Sequence, residues 1–498
     1  MALAQTNRAI NADMQQVKGS TSTMYNFCVG AGRANEGLRA DWQQQLTDVQ
    51  KVMHFKYIRF HGLLHDDMGV YKEDANGKPI YNWQYVDKLY DFLLSIKIRP
   101  FVEFGFMPAA LATDASKTVF WWKGINTPPK DYNKWNDLIV AMVKHFEERY
   151  GKEEVRQWYF EVWNEPNLTS FWSAGRDEYF KLYNVTSKAV KSVSPNYRVG
   201  GPATSGKTWV REFINYCKQN NLPVDFISTH AYGSGSFLDE FGTRKQRLRP
   251  SNAIPEDVNT VLHWMDSLSY KKELHFTEWN SSSGPKDTRH DTYQNAAFVL
   301  HVLRHTEGAN SMSYWTFTDI FEEPGPQVTP FHGGFGMLNL QSIKKPTYFA
   351  YQFLSELGNL ELKNNDGESY VCKDAKGNLQ ALFWDFMAKP DSNYAVKYFD
   401  NGNKPENQGK IKLNIANVPN GKYRIQLYQT GYHHNDVLNA YKEMGSPYNI
   451  NREQEGKLKA LTAGKPVVEK LQNITTGSFT YEVNVQSKDV FFIRLTKL

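Results

Sequence analysis

The chain has 498 residues, 41% of them hydrophobic and 22% charged, and a formal net charge of +5. That length exceeds one ordinary core and predicts two or more domains, or one large barrel with an appendage. The composition excludes a disordered chain, and so small a charge argues against a nucleic-acid partner, which needs Lys and Arg gathered on one face.

The start, MALAQTNRAINAD, lacks a charged segment followed by an apolar core, the pattern of a signal peptide. A chain with its signal trimmed would read the same, so a periplasmic or extracellular address and a cytoplasmic one both stay open. Eight short β-rich apolar runs follow: Tyr25–Gly30, Lys56–His61, Arg99–Gly105, Trp158–Trp163, Tyr197–Gly200, Val224–His230, Leu274–Glu278 and Met312–Phe317. Helix-period segments lie between them. In 83–98, Val86, Leu89, Leu93 and Ile96 share a face; in 131–150, Trp135, Leu138, Ile139, Met142, Val143 and Phe146 do so. Doubly buried strands alternating with helices predict a parallel sheet, and eight repeats predict that it closes into a (β/α)8 TIM barrel, an α/β fold, over 22–358. Beyond Gly358 the pattern turns to period two, as in 379-LQALFWDF-386, 410-KIKLNIANV-418, 422-KYRIQLYQT-430 and 479-FTYEVNVQ-486. This predicts an accessory antiparallel β-sandwich over 359–498, to which residues 1–21 could add a strand. It reads as packing for the barrel; an independent glycan-binding module is the alternative. No apolar run is long enough to span a bilayer.

Catalytic groups of such a barrel sit at the carboxyl ends of its strands. Strand two ends in Arg59-Phe60-His61, strand three carries Glu103, strand four ends in Asn164-Glu165, strand six in His230-Ala231-Tyr232 and strand seven in Glu278-Trp279; strand eight leads to Asp319 and Glu322-Glu323. The run 158-WYFEVWNEPNL-168 is instructive: an apolar strand is interrupted by Glu161 and ends on an amide, a carboxylate and Pro166, which has no N–H to continue a ladder. Strands four and seven lie across the ring from one another, so Glu165 and Glu278 can flank one bond. Glycosidic cleavage needs two such carboxyls, one protonated and one anionic. Alone, either could merely cap a helix.

The segments FEVWNEPNL, HFTEWN, RFHG, FVEFGFMP and FHGGFG resemble those of glycoside hydrolase family 39, which holds β-xylosidases and α-L-iduronidases. The resemblance extends through VGGPAT, DIFEE, KKPTYFAYQFLSELG and EMGSP. It implies a retaining mechanism with Glu165 as general acid/base, Glu278 as nucleophile and Asn164 donating to a sugar 2-hydroxyl. The expected activity is β-xylosidase-like; an acidic or other sugar, or an inactive carbohydrate-binding homologue, are the alternatives. The substrate partner is a carbohydrate, and self-association is left open.

Other mouth residues are candidates by position. His61 would bind sugar hydroxyls, unless it is bonded to backbone. His230 and Tyr232 would orient the nucleophile or touch the sugar. Glu323 and Glu322 could accept from hydroxyls, or belong to a solvated loop. Trp315 and Phe331 could be stacking platforms or core. Glu103 reads as a partner of Arg59 beneath the site. Arg244, Lys245, Arg247 and Arg249 after strand six could attract an acidic glycan, with a solvated loop as the alternative. The loop 108–124 after strand three could narrow the mouth. Cys28, Cys217 and Cys372 have no zinc or disulfide spacing, the pair His433-His434 falls in the accessory domain, and no phosphate loop or HExxH is present, so neither metal nor nucleotide cofactor is expected.

Overall fold

The computed structural model describes residues 8–238, 240, 243–386 and 405–498. Eight strands, Cys28–Arg33, Tyr57–His61, Arg99–Phe104, Tyr159–Val162, Arg198–Thr204, Phe226–Tyr232, Glu273–Asn280 and Ser311–Tyr314, form a closed parallel barrel in chain order. All eight predicted runs fall on them. The first strand starts later than expected because Met24–Asn26 makes a 3-10 turn.

The covering helices follow their apolar periods. The helix Tyr132–Tyr150 buries all six residues expected on its face, and Asp131 caps it by accepting from the N–H groups of Asn133 and Lys134. In Gln84–Ser95, Val86, Leu89 and Leu93 are buried, while Ile96 lies just past the helix end.

Side chains alternate across each strand, so every second residue points into the barrel. In Tyr57–His61 these are Tyr57, Arg59 and His61; in Arg99–Phe104, Phe101 and Glu103; in Tyr159–Val162, Tyr159 and Glu161. The interior is therefore layered, as barrels of this type are. Cys28, Tyr57, Phe101, Tyr159 and Phe226 form a plug at the amino end, with Phe101 stacked on Tyr159 at 4.9 Å between ring centroids. Above it lies a polar layer of Arg59, Glu103 and Glu161, and above that the mouth.

Nine strands build a second sheet in the order Val468–Ile474, Gly421–Thr430, Val490–Lys497, Leu379–Trp384, Ser369–Lys373, Leu360–Asn364, Arg8–Ser20, Asn407–Ala416 and Ser478–Gln486. The strand Arg8–Ser20 pairs antiparallel with Leu360–Asn364 and parallel with Asn407–Ala416, so the sheet is mixed at this one junction. Ile411 and Leu413 near one edge share an apolar cluster with Ile425 and Leu427 near the other, as a sheet folded on itself requires. Its other face meets the barrel: Phe492 stacks on Phe353 of the helix Pro346–Ser355 at 5.3 Å, and Leu382, Trp384 and Val490 join the barrel's core.

Candidate active site

Arg59 is the hub of the polar layer. It is wholly buried, and its guanidinium donates through Nε to Glu161 (2.5 Å), through Nη1 to Glu278 (2.7 Å) and through Nη2 to the Asn164 amide oxygen (2.9 Å). Nη2 also lies 2.9 Å from Glu103. A buried cation needs such compensation, since one unpaired charge in a barrel core costs several kcal/mol. Glu161 accepts a further bond from Thr277 Oγ1 at 2.9 Å. The carboxylate that interrupts the fourth strand is thus an inward residue of the middle layer, holding the arginine that holds the mouth.

Above this layer Glu278 is gripped at both oxygens. Oε1 accepts from Arg59, and Oε2 accepts from the Tyr232 hydroxyl at 2.6 Å. His230 Nδ1 lies 2.9 Å from Glu165 Oε1 and 3.4 Å from Glu278 Oε2, and one oxygen of each glutamate lies within 4.8 Å of the other. Burial, opposed chiefly by a hydrogen bond from Ser205 and the positive charge around His61 and Arg59, pushes the Glu165 carboxyl up to about 7. Burial pushes His230 down to about 4, so its ring is neutral at working pH and donates toward the carboxylates. These three side chains have a donor set that could hold a divalent ion, yet both Glu278 oxygens and Glu165 Oε1 are already engaged by hydrogen bonds.

The chain between strand four and this cluster is bent. Trp163 has φ +71° and Glu165 φ +44°, left-handed conformations that cost a non-glycine residue about 1–3 kcal/mol each. The Glu165 N–H is fixed by the Ala203 carbonyl at 2.8 Å, which ties the end of strand four to the end of strand five. Functional sites are where such strain concentrates, because it aims a side chain the regular strand would not.

The remaining candidates divide. His61 donates or accepts at Nδ1 with Glu103 (2.7 Å), and its Nε2 faces Glu278 Oε1 (3.6 Å) and Glu323 Oε1 (3.5 Å). Glu103 therefore touches both Arg59 and His61; burial would raise its carboxyl, but the charges of His61 and Arg59 outweigh it and hold it below the ordinary value. Glu323 sits at the mouth and is raised well above the ordinary range by burial, then by the negative charges of Glu278, Glu36 and Glu165. Glu322 is bound to Arg33 Nη2 (2.7 Å) and Arg39 Nη1 (3.1 Å), which occupies the oxygens assigned to a sugar. Trp315 is 2% exposed and packs beside His61 (4.8 Å) with the Arg59 guanidinium over its ring, so it floors the pocket. Phe331 is packed on Tyr441 (5.1 Å), in a cluster with Ile343 and Leu458 that joins the last barrel loop to the helices Val437–Glu443 and Arg452–Leu461. It has no open face to offer a sugar.

Sequence reasoning passed over Phe120, whose ring lies parallel to His61 at 6.1 Å. It belongs to the loop after strand three, which crosses the mouth where the Trp121 N–H donates to the Glu323 carbonyl at 2.8 Å. It also passed over Glu36, buried beside the mouth and bonded to the Glu322 N–H at 2.8 Å. No local pattern marks either, since both act through loops that meet only in the fold. The basic segment after strand six is a hairpin of Ser234–Leu238 and Arg244–Leu248. Arg249 is spent on Asp257 (2.7 Å) and the Tyr232 carbonyl (3.0 Å). Gly242 and the side chains of Arg244 and Lys245 lie outside the described residues.

A closed eight-stranded barrel with glutamates from strands four and seven facing each other at its carboxyl end has the layout of a barrel glycosidase, and with the family match that follows the chain is an O-glycosyl hydrolase. The family model for glycosyl hydrolases family 39 matches residues 9–479, and the chain belongs to that family. It is similar to the β-xylosidase of Geobacillus stearothermophilus, 47% identical over 376 residues that span 73% of this chain and 74% of that protein. It is 37% identical over 450 residues to the β-xylosidase of Caldicellulosiruptor saccharolyticus, 88% of each chain. It superposes on the crystal structure of the GH39 enzyme from Xanthomonas axonopodis pv. citri with a TM-score of 0.95 at 38% identity, covering 100% of this chain and 98% of that one.

Proposed function

We propose that this hydrolase is a retaining β-xylosidase, with Glu278 as nucleophile and Glu165 as acid/base. The observation that carries the mechanism is that one oxygen of Glu165 lies within 4.8 Å of one oxygen of Glu278, too close for a water-admitting gap at that point. Retaining pairs stand about 5–5.5 Å apart, whereas inverting pairs need about 6.5–9.5 Å to admit a water. The two β-xylosidases among the relatives support the sugar.

The environments divide the roles. Glu278 accepts from Arg59 on one oxygen and from Tyr232 on the other, bonds that fix it for attack on the sugar's anomeric carbon. Its oxygen forms a bond to that carbon as the glycosidic C–O bond breaks, and the leaving oxygen takes the proton of Glu165. Glu165, now a carboxylate, then removes a proton from water; the water oxygen bonds to the anomeric carbon and the ester to Glu278 breaks. Asn164 has its amide oxygen on Arg59, so the group it can offer a 2-hydroxyl is its NH2. His61 and Glu323, whose facing atoms lie 3.5 Å apart at the mouth, would bind further hydroxyls.

Release of nitrophenol from aryl β-xyloside, α-arabinoside, β-glucoside, β-galactoside and α-iduronide is the test. β-Xyloside should be preferred, and Glu278→Ala should abolish turnover, with azide restoring it as the inverted glycosyl azide. Preference for another sugar overturns the substrate; an azide product of retained configuration overturns the role of Glu278.

A further inference from the structure

Far along the barrel wall, a second group of side chains has the makeup of a cation site. The helix Gln294–His305 carries His301 and His305 four residues apart, hence on one face. Both aim at one atom: His301 Nδ1 lies 2.9 Å, and His305 Nε2 2.8 Å, from Oε1 of Glu368. Glu368 stands on the turn between Leu360–Asn364 and Ser369–Lys373 of the second sheet. The three ligand atoms lie within 4.8 Å of one another.

Their surroundings set the chemistry. His301 Nε2 is 2.9 Å from the Asn252 side-chain oxygen, which can only accept, so Nε2 carries the hydrogen. His301 Nδ1 is then the ring atom left to face a ligand, and it lies 2.9 Å from the carboxylate oxygen. The other Glu368 oxygen accepts from Trp384 Nε1 at 2.6 Å, and the Phe386 ring lies on His301 at 3.9 Å between centroids. A histidine donating its far N–H to a carbonyl oxygen, and a carboxylate anchored through its far oxygen, are the outer contacts that orient metal ligands. A tetrahedral zinc ion with ligands at about 2.0–2.2 Å holds them about 3.3 Å from one another, so the two nitrogen–oxygen separations need open by only about half an ångström. The side chains of His305 and Glu368 are 37% and 23% exposed, which leaves an approach for the ion and for a water as fourth ligand.

We propose that His301, His305 and Glu368 bind a transition-metal dication of the zinc class, clamping a barrel helix to the second sheet. Two imidazoles and one carboxylate suit zinc and its neighbours, and not magnesium or calcium, which prefer oxygen alone.

The test is a titration of tag-free, chelator-treated full chain with Zn2+ against a chromophoric chelator. It is made on wild type and on Glu278→Ala, which removes a ligand from the cluster at the mouth. One ion per chain should bind in both, magnesium should not compete, and His305→Gln or Glu368→Gln should weaken binding by about tenfold or more. With Zn2+ at a hundred times its dissociation constant, the unfolding equilibrium constant should fall about a hundredfold, and not in those variants. His305 is exposed enough for its replacement to leave the fold intact. No stoichiometric ion in wild type means that a proton alone bridges the cluster. Binding that survives both substitutions, or that vanishes with Glu278→Ala, likewise overturns the proposal.

Discussion

Glu165 and Glu278 are the same residue type in one pocket, and their neighbours make them differ. Glu278 has a hydrogen-bond donor on each oxygen, from Arg59 and Tyr232. Glu165 is buried and sits at about 7. An acid that must be protonated to act loses function as pH rises through its pKa, so kcat/KM should fall above about pH 7. Glu165→Gln should erase that alkaline limb and lower kcat/KM for an unactivated xyloside by about 10²–10⁴-fold; a limb that persists in the variant assigns the acid elsewhere. Tyr232→Phe removes a hydrogen bond to a charged group, which is worth about 1.5–3 kcal/mol, and should slow the first step by about 10–100-fold. Pre-steady-state release of nitrophenol measures it.

Glu165 and Glu278 stand at strand ends, and loops from other strands meet around the mouth, as where the Trp121 N–H donates to the Glu323 carbonyl. The loop after strand one shows how these junctions respond to pH. Burial, reinforced by the charge of Glu322, pushes Glu36 up to about 8, although the Glu322 and Arg33 N–H groups oppose it. A carboxyl raised on folding binds its proton more tightly in the native state. Its contribution is whole below about pH 4.5 and is lost as pH climbs through about 8. Glu36→Gln keeps the hydrogen-bonding shape without the titration. The variant's melting temperature should therefore drop less between pH 5 and pH 8 than that of wild type, which thermal scans at both values will show. Equal drops would mean that Glu36 stays charged. Glu165, raised without help from Glu36, cancels in the comparison, while Glu323, raised in part by Glu36, changes in the same direction.

At the level of the molecule, the barrel is bound to a sheet that uses both ends of the chain. The strand Arg8–Ser20 lies inside that sheet, between Leu360–Asn364 and Asn407–Ala416. Deleting residues 1–20 leaves two unpaired edges and exposes the contacts of Ile10, Ala12 and Met14. Open edges of this kind template aggregation, so the truncated chain should express insolubly or scatter light on concentration, where the full chain does not. A stable, active truncation would show that the sheet closes without it.

Local patterns were enough for the eight strands, the helical faces and the ends on which Glu165, Glu278, Asn164, His61, His230 and Tyr232 stand. Alternation and helical period are properties of neighbouring residues, and a barrel places every strand's carboxyl end at one mouth. Glu161 was visible too, as a charge in an apolar strand, but its task was not: that required Arg59, about a hundred residues away, to occupy the same layer. The same holds for Glu322, which local reading left free and the fold commits to Arg33 and Arg39, and for Phe331, which the helices near Tyr441 cover. Ion pairs and aromatic contacts between loops depend on distances that no period in the chain encodes. Chain chemistry thus decided which groups reach the mouth, and tertiary packing decided which of them remain available there, because a hydrogen bond or a covered ring face can be used only once.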